Sequence, residues 1–368
     1  MRVDCLELDG FRNYESFFAA FSPGVNLITG ENAQGKTNLL EAIAFLSGGK
    51  SHRARSDREL IGFDQETASI RGKVESRGRD FLLEAQLVKG ARRKLFSNHV
   101  KLKNAGELSD ILHTVLFCPE DLSLIRAGGA ERRRFLDSSI CQLRPNYAQA
   151  LAQYQRLLEH KTRILRDWEA KPDLLDVLWE FDDGMARTGA VLIHYRAHFI
   201  RKLAQSAQEI QRDFSGEREE LTLAYQTVKT VTDPLAPPAR IYPQLVEHQR
   251  SHAQAELSAR SCLSGPHKDD MRAEIDGQSA RQFASQGQTR TAALSLKLAQ
   301  RELHREDTGQ WPVLLLDDVL SELDPKRQDF VLRRIQGGQV FITGCEAPVG
   351  ESEENMKCFR IEKGRLLE

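Results

Sequence analysis

One segment constrains the fold more than any other. Residues 30–37 read GENAQGKT, a full match to G-x-x-x-x-G-K-[ST]. The β-branched run VNLIT (25–29) leads directly into it. NLLEAIAFLSGG follows, with helical periodicity closed by Gly48-Gly49. Strand, glycine loop and helix are the context this motif needs. Gly30 and Gly35 let the backbone curl so that successive N–H groups face phosphate oxygens. The helix N-terminus adds partial positive charge at the same place. Lys36 is expected to reach the β- and γ-phosphates, and the Thr37 hydroxyl to ligate Mg²⁺. Gly30, Glu31, Asn32, Ala33, Gln34, Gly35, Lys36 and Thr37 are therefore the expected nucleotide cradle, on an α/β core.

Such a cradle needs a second carboxylate to hold the metal. VLLLDD (313–318) is an apolar strand ending in two acids. Asp317 is the expected Mg²⁺ partner, through water, and Asp318 the group that orients and deprotonates an attacking water. Lys36 and Asp318 are thus the expected catalytic pair. The spacing is informative: Asp317 lies 280 residues after Thr37. Simple P-loop switches place the two much closer, so the nucleotide core is split by an inserted domain. That points to ATPases that bind nucleotide between two heads, the partner head supplying a Ser-Gly-Gln loop. Such a loop stands at 285–290, SQGQTR, opening a helix. Ser285, Gly287 and Gln288 are its expected γ-phosphate contacts, although Gln286 stands where glycine is usual. Ser321 and Asp324, in the SELD that follows the acid strand, are expected at the dimer interface with Ser285. Asp324-Pro325 also reads as a helix N-cap.

The remaining chain organises around this split core. Residues 1–120 read as the first part of the head, with strands near 66–74 and 80–88, a hairpin around Asn98-His99, and a buried strand at 114–118. From about 120 to 213 the pattern turns helical, in short stripes broken by Pro145, Pro172 and Gly184, too irregular for a long coiled coil. TDPLAPPAR (232–240) reads as a proline-rich linker. The expected division is 1–120, a helical arm at 121–235, and the rest of the head at 236–368. The fold class expected is an α/β head with a mixed or parallel sheet, an antiparallel β subdomain and an inserted helical arm.

Composition narrows the functions. Lys and Arg number 52 and Asp and Glu 53, a net charge of −1, so any polyanion site must be a local patch. The candidate DNA contacts are Lys50, Arg53 and Arg55 after the P-loop helix and Arg92, Arg93 and Lys94 in the hairpin region. Arg132 to Arg134 share their helix with Glu131 and Asp137 and read as internally paired. The six cysteines (Cys5, Cys118, Cys141, Cys262, Cys345 and Cys358) form no C-x-x-C pair, which suits a reducing cytoplasm. Asp4, Glu7 and Asp9 argue against a secretory leader, and no stretch approaches the roughly 18 apolar residues of a membrane span.

Eight blocks in order carry a resemblance: LELDGFRNY (6–14), GENAQGKTNLLEAI (30–43), KSHR (50–53), FCPEDL (117–122), ERRRFLD (131–137), SGPHKDD (264–270), SQGQTR (285–290) and LLLDDVLSELD (314–324). Over its whole length the chain resembles the RecF family of bacterial recombination mediators, short relatives of the ABC-type and chromosome-maintenance ATPases. The resemblance implies an ATP-dependent head-to-head homodimer with ATP and Mg²⁺ as ligands. It implies binding to double-stranded DNA and to junctions with single-stranded gaps, and cooperation with RecR and RecO in loading RecA. It also implies DNA-dependent hydrolysis, expected to be slow because this chain departs from the ABC pattern at the switch position. The strand after the acid pair ends Ile342-Thr343-Gly344, with no switch histidine, and a Gln-loop is replaced at best by Glu120 or Asp121. His267-Lys268-Asp269-Asp270 reads as a supporting loop and not as a metal cluster. The rival readings are an ATPase subunit coupled to a membrane or other protein partner, and an ATP-binding scaffold with no significant hydrolysis.

Overall fold

The computed structural model describes residues 1–344 and 356–367; Cys345 lies outside them. The chain opens with β1 (Arg2–Phe11) and β2 (Tyr14–Ala20), then β3 (Val25–Thr29) and α1 (Lys36–Gly48). β4 (Thr67–Ser76), β5 (Arg79–Val88), β6 (Lys94–Ser97) and β7 (Val100–Lys101) follow, then a one-turn α2 (Gly106–Ser109) and β8 (Thr114–Phe117). The β6–β7 turn is Asn98-His99, with φ of 49° and 65°. Two left-handed residues make the tight turn whose twist matches a hairpin. β1, β2, β4, β5, β6 and β7 form an antiparallel sheet in the order β2-β1-β4-β5-β6-β7.

The middle of the chain carries α3 (Ser123–Arg126), α4 (Gly129–Leu143), α5 (Pro145–Asp167), α6 (Leu178–Ser215), β9 (Leu221–Gln226) and α7 (Pro238–Ala259). β10 (Asp270–Ile275), β11 (Gln278–Ser279), α8 (Ala280–Phe283) and α9 (Gln286–Thr308) complete it. The chain then forms β12 (Val313–Leu316), α10 (Pro325–Arg334), β13 (Val340–Gly344), β14 (Met356–Glu362) and β15 (Arg365–Leu367). A second six-stranded sheet runs β15-β14-β3-β13-β12-β8. It is parallel except at its β14–β15 edge.

Two compact units result, one of residues 1–121 with 297–368, the other of 122–296. In the first, α1 lies in the core shared by both sheets. It is apolar around most of its circumference, and Leu39, Leu40, Ile43, Phe45 and Leu46 are fully buried beside Leu6, Leu8, Ile70 and Leu83 of the antiparallel sheet and Ile28, Val313 and Phe341 of the mixed one. A helix buried over most of its surface between two sheets cannot shift without opening both. The P-loop at its head is anchored accordingly.

The second unit corrects three expectations. Gly184 does not end a helix but sits inside α6, where a Cβ would come 3.0 Å from Leu157 Cδ1 of α5. The missing side chain lets the two helices approach. The segment 232–240 is not a bare linker, since Pro238 is the first residue of α7, where a proline costs no hydrogen bond. The second boundary falls at 296/297 and not at 235/236. The reason is packing: Ile241 and Leu245 of α7 share a buried cluster with Ala186, Ala190 and Ile193 of α6, joined by Val231 and Ala236. β9, absent from the sequence reading, pairs with β10.

The SGPHKDD segment supports this unit. Arg196, 2% exposed, donates to the Pro266 carbonyl at 2.6 Å and to Asp137 at 2.8 Å. His267 Nδ1 lies 2.8 Å from the Tyr154 hydroxyl, and burial pushes its pKa down to about 4, so the ring is neutral. Asp269 accepts from Tyr225, and Asp270 from Arg132 at 2.7 and 2.8 Å. His267, Asp269 and Asp270 of the loop thus have structural partners, and among the described residues no three His, Cys, Asp or Glu converge as a metal site.

Removing Arg196 takes away the cation that faces both the buried Asp269 carboxylate and the half-buried Asp137 carboxylate, leaving each with its tyrosine donor. Arg196→Met is expected to destabilise the protein by about 3–5 kcal/mol in urea titration. A loss under about 1 kcal/mol would contradict this account of the loop.

Candidate nucleotide-binding site

The site begins where β3 ends. Gly30 has φ 148°, and a Cβ there would overlap the Ile361 carbonyl oxygen. Ala33 and Gly35 also take positive φ, 64° and 116°. The chain thus folds back on itself between β3 and the first turn of α1. Lys36 Nζ donates to the Gly30 and Glu31 carbonyls at 2.5 and 2.8 Å, its ammonium held at the mouth of the loop.

The FRNY block supports the loop from the β1–β2 turn. The Tyr14 hydroxyl donates to the Gly35 carbonyl at 3.0 Å, and burial raises its pKa so that it stays a donor. Asn13 Nδ2 donates to the Gln34 carbonyl at 2.9 Å, and its Oδ1 accepts from Asn38 at 2.8 Å. Arg12 makes a two-pronged bond to Glu41 of α1, at 2.8 and 2.7 Å. Burial tends to raise the Glu41 carboxyl, but Arg12 and the Ser51 hydroxyl outweigh it, and the group lies below its usual range. Ser51 also accepts from the N–H groups of Arg53 and Ala54, at 2.9 and 2.7 Å, which fixes the KSHR loop to the P-loop helix.

The acid strand meets the loop across the mixed sheet. The Thr37 hydroxyl donates to Asp317 Oδ1 at 3.0 Å. Thr343, at the end of β13, donates to the same oxygen at 2.7 Å and accepts from the Asp318 N–H at 2.9 Å. Asp318 has φ 52°, an uncommon conformation for a residue other than glycine. Its carboxylate accepts from Ser321 at 2.8 Å, and Asp324 caps α10 by accepting from the Arg327 N–H at 3.1 Å. The Thr37 hydroxyl and Asp317 carboxylate are hard oxygen donors at hydrogen-bond distance from each other. That set fits Mg²⁺, which is held by one or two protein groups with phosphates and water filling its octahedron. Thr343 was not visible from sequence, because one threonine at a strand end carries no motif.

In the other unit, Ser285 and Gln288 form a reciprocal capping box at the head of α9. Ser285 Oγ accepts from the Gln288 N–H at 3.2 Å, and Gln288 Oε1 from the Ser285 N–H at 2.9 Å. Ser285 is exposed. Arg126, missed from sequence, fixes the segment by donating to the Ala284 carbonyl at 3.0 Å and to the Thr289 hydroxyl at 3.1 Å.

A sequence profile of the RecF/RecN/SMC N-terminal domain family matches residues 2–365. The DNA replication and repair protein RecF of Agathobacter rectalis is 38% identical over 369 residues, spanning 100% of this chain and 99% of its own. This chain belongs to the RecF family. Among solved structures, the recombination mediator protein RecF with ATP, of the RecFOR pathway, superposes with a TM-score of 0.92 at 36% identity, over 99% of this chain and 96% of that one. The Smc head domain of Pyrococcus furiosus, 16% identical, shares the fold at a TM-score of 0.55 over 99% of this chain and 94% of its own.

Within the RecF frame the basic candidates divide. Lys50, Arg53, Arg55, Arg92 and Lys94 are exposed. Arg93 is not a free contact: its guanidinium donates to the Gly49 carbonyl, pairs with Asp57 at 3.0 Å and lies over the Phe45 ring at 5.7 Å. It ties the 90–94 segment to the 49–57 loop, so the five exposed cations sit on adjoining segments. Arg132, Arg133 and Arg134 are all internally engaged, with Asp270, the Asp269 carbonyl and Glu131. Asp121 is committed to the Cys118 N–H at 2.9 Å and to Lys297 at 2.9 Å, while Glu120 is exposed.

Thr343→Val should weaken Mg²⁺-dependent nucleotide binding about 10- to 100-fold, since it frees the carboxylate that faces Thr37. Thr343→Ser, which keeps the hydroxyl, should retain binding. Calorimetric titration with and without EDTA measures both, and an unaltered valine variant would contradict the role given to Thr343.

Proposed function

We propose that this chain is an ATP-gated DNA-binding protein of recombinational repair. Membership of the RecF family makes it a DNA replication and repair protein. The observation that carries the nucleotide reading is the meeting of Thr37, Asp317 and Thr343 beside a P-loop held open by glycines. In this reading the N–H groups of residues 30–37 and the Lys36 ammonium hold the β- and γ-phosphates of ATP. Thr37 and Asp317 hold Mg²⁺, which when bound neutralises phosphate charge. Asp318 takes the proton of a water whose oxygen attacks the γ-phosphorus. The bond to the ADP oxygen breaks, giving ADP and phosphate. Hydrolysis is slow and regulatory, because the β13 end offers Thr343 and no imidazole.

The exposed Ser285–Gln288 cap supports action in trans, on the γ-phosphate held by a second copy. Ser321 and Asp324 lie on the same interface in this reading. ATP then closes two heads, and pooling their exposed cations at Lys50, Arg53, Arg55, Arg92 and Lys94 makes DNA binding ATP-dependent despite a net charge near zero. The ligand is duplex DNA and its junctions with single-stranded gaps, and RecR and RecO are the partners through which RecA is loaded. Membership of the RecF family supports a cytoplasmic protein, and the FRNY and GPHKDD blocks with the absence of a switch histidine disfavour the membrane-coupled alternative. Among the described residues no helix is long and apolar enough to cross a membrane. A scaffold that binds ATP without cutting it differs from this reading only at Asp318, whose carboxylate already accepts from Ser321.

Lys36→Met should abolish ATP binding in equilibrium dialysis; normal affinity would remove the P-loop assignment. Asp318→Asn should bind Mg²⁺-ATP yet turn it over at least 100-fold more slowly, accumulating dimer. Unchanged turnover would place the base elsewhere, and no turnover even in the wild type would favour the scaffold. Ser285→Arg should fold and bind ATP as a single head but remain monomeric in sedimentation at saturating ATP. A dimer as stable as wild type would reduce Ser285 to a helix cap.

A further inference from the structure

The P-loop is also gripped from outside by the last hairpin of the chain. β14 runs parallel to β3 with Arg360 opposite Thr29, which brings the β14–β15 turn beside residues 30–34. The Lys363 N–H donates to Gln34 Oε1 at 2.6 Å. The Gly364 N–H donates to the Gln34 carbonyl at 3.0 Å, the same oxygen that accepts from Asn13. Gln34 therefore takes three hydrogen bonds from two turns, one residue before Gly35. The Ile361 carbonyl presses on Gly30 so closely that no Cβ fits there. Gly364 is confined in the same way. Its φ is 72°, and a Cβ would overlap the Asn13 carbonyl oxygen. The turn is thus wedged between the β1–β2 turn and the phosphate loop, touching both.

We propose that the Lys363–Gly364 turn is a positioning element of the nucleotide site, holding the P-loop backbone through Gln34 so that ATP affinity depends on the terminal hairpin. The proposal rests on the nucleotide reading of residues 30–37. Neither residue touches the phosphates; they act through Gln34. A loop whose N–H groups are pre-aimed does not have to be ordered by the ligand, and affinity rises accordingly. By reciprocity, bound ATP must tighten the turn.

The molecule contains its own control. Arg77-Gly78, at the β4–β5 turn, has φ of 52° and 71°, as Lys363-Gly364 has 47° and 72°, but a Cβ at Gly78 meets nothing within 4 Å. Gly78→Ala carries the backbone strain alone; Gly364→Ala adds a clash with the Asn13 carbonyl, which pushes away the turn whose N–H groups bond Gln34. ATP affinity of the full chain, titrated with Mg²⁺-ATP, should fall about tenfold in Gly364→Ala and stay within about twofold in Gly78→Ala. Equal affinities in the two variants overturn the positioning role. Wild-type protein that binds no ATP overturns the nucleotide reading, and the proposal with it.

If Gly364→Ala fails to fold, Gln34→Met carries the test. It is close in size and removes the acceptor of the Lys363 N–H. About fivefold weaker ATP is expected, and wild-type affinity overturns the proposal. Where both variants fold, their double mutant should lose less than the product of the single losses, since both act on one contact; multiplicative losses count against it. Amide exchange at Lys363 and Gly364 should slow when ATP is added, which a merely structural turn would not do, and unchanged exchange overturns the coupling.

Discussion

Asp317 is the point through which the nucleotide site is closed. One of its oxygens accepts from Thr37, 280 residues earlier in the chain, and from Thr343, 26 residues later. The three residues stand at the ends of a helix, a central strand and its neighbour, and the parallel register of β3, β13 and β12 brings those ends level. No local segment could build this. The long excursion between the halves is possible because the return strand β12 is anchored by fully apolar side chains, Val313 to Leu316, all buried. The hydrophobic term places the strand, and the buried hydrogen bonds then set the carboxylate to a definite orientation.

Around that centre the loop is held from several sides: by Tyr14 and Asn13, by Arg12 through Glu41, and by the terminal hairpin through Gln34. Each contact is modest alone, on the order of 1 kcal/mol. Together they define the phosphate cradle in the protein itself. A site prepared in this way can spend nucleotide binding energy on closing two heads and not on ordering its own backbone. In the proposed reading the near-neutral charge of the chain has the same consequence for DNA, since a second head would add its exposed cations to those of the first.

Much of this was legible in the sequence where chemistry needs residue types at fixed local spacing. Residues 25–48 gave strand, loop and helix; VLLLDD gave the buried strand and its acids; Ser285 and Gln288 gave a capped helix. Interactions between distant segments were not legible. Thr343 and Arg126 act through contacts that no local pattern announces. Arg93 looks like any surface arginine beside Arg92 and Lys94, and only the fold shows its guanidinium committed to Gly49 and Asp57. Gly184 and Pro238 looked like breaks, because propensity is a local preference that tertiary packing overrides: one glycine makes room for Leu157, and one proline fits the first turn of a helix. The second boundary was misplaced for the same reason, since Val231, Ala236 and Ile241 bury themselves beside α6.

In the proposed function two copies complete one ATP site, the P-loop of one facing the Ser285 loop of the other. Mixing two defective chains tests it most directly. Lys36→Met has a sound Ser285 loop and no phosphate grip; Ser285→Arg has the reverse. ATP turnover should be absent from each alone and return when they are mixed, because one of the two sites in a mixed dimer is then whole. Turnover in the mixture no greater than the sum of the separate chains would contradict the two-headed site.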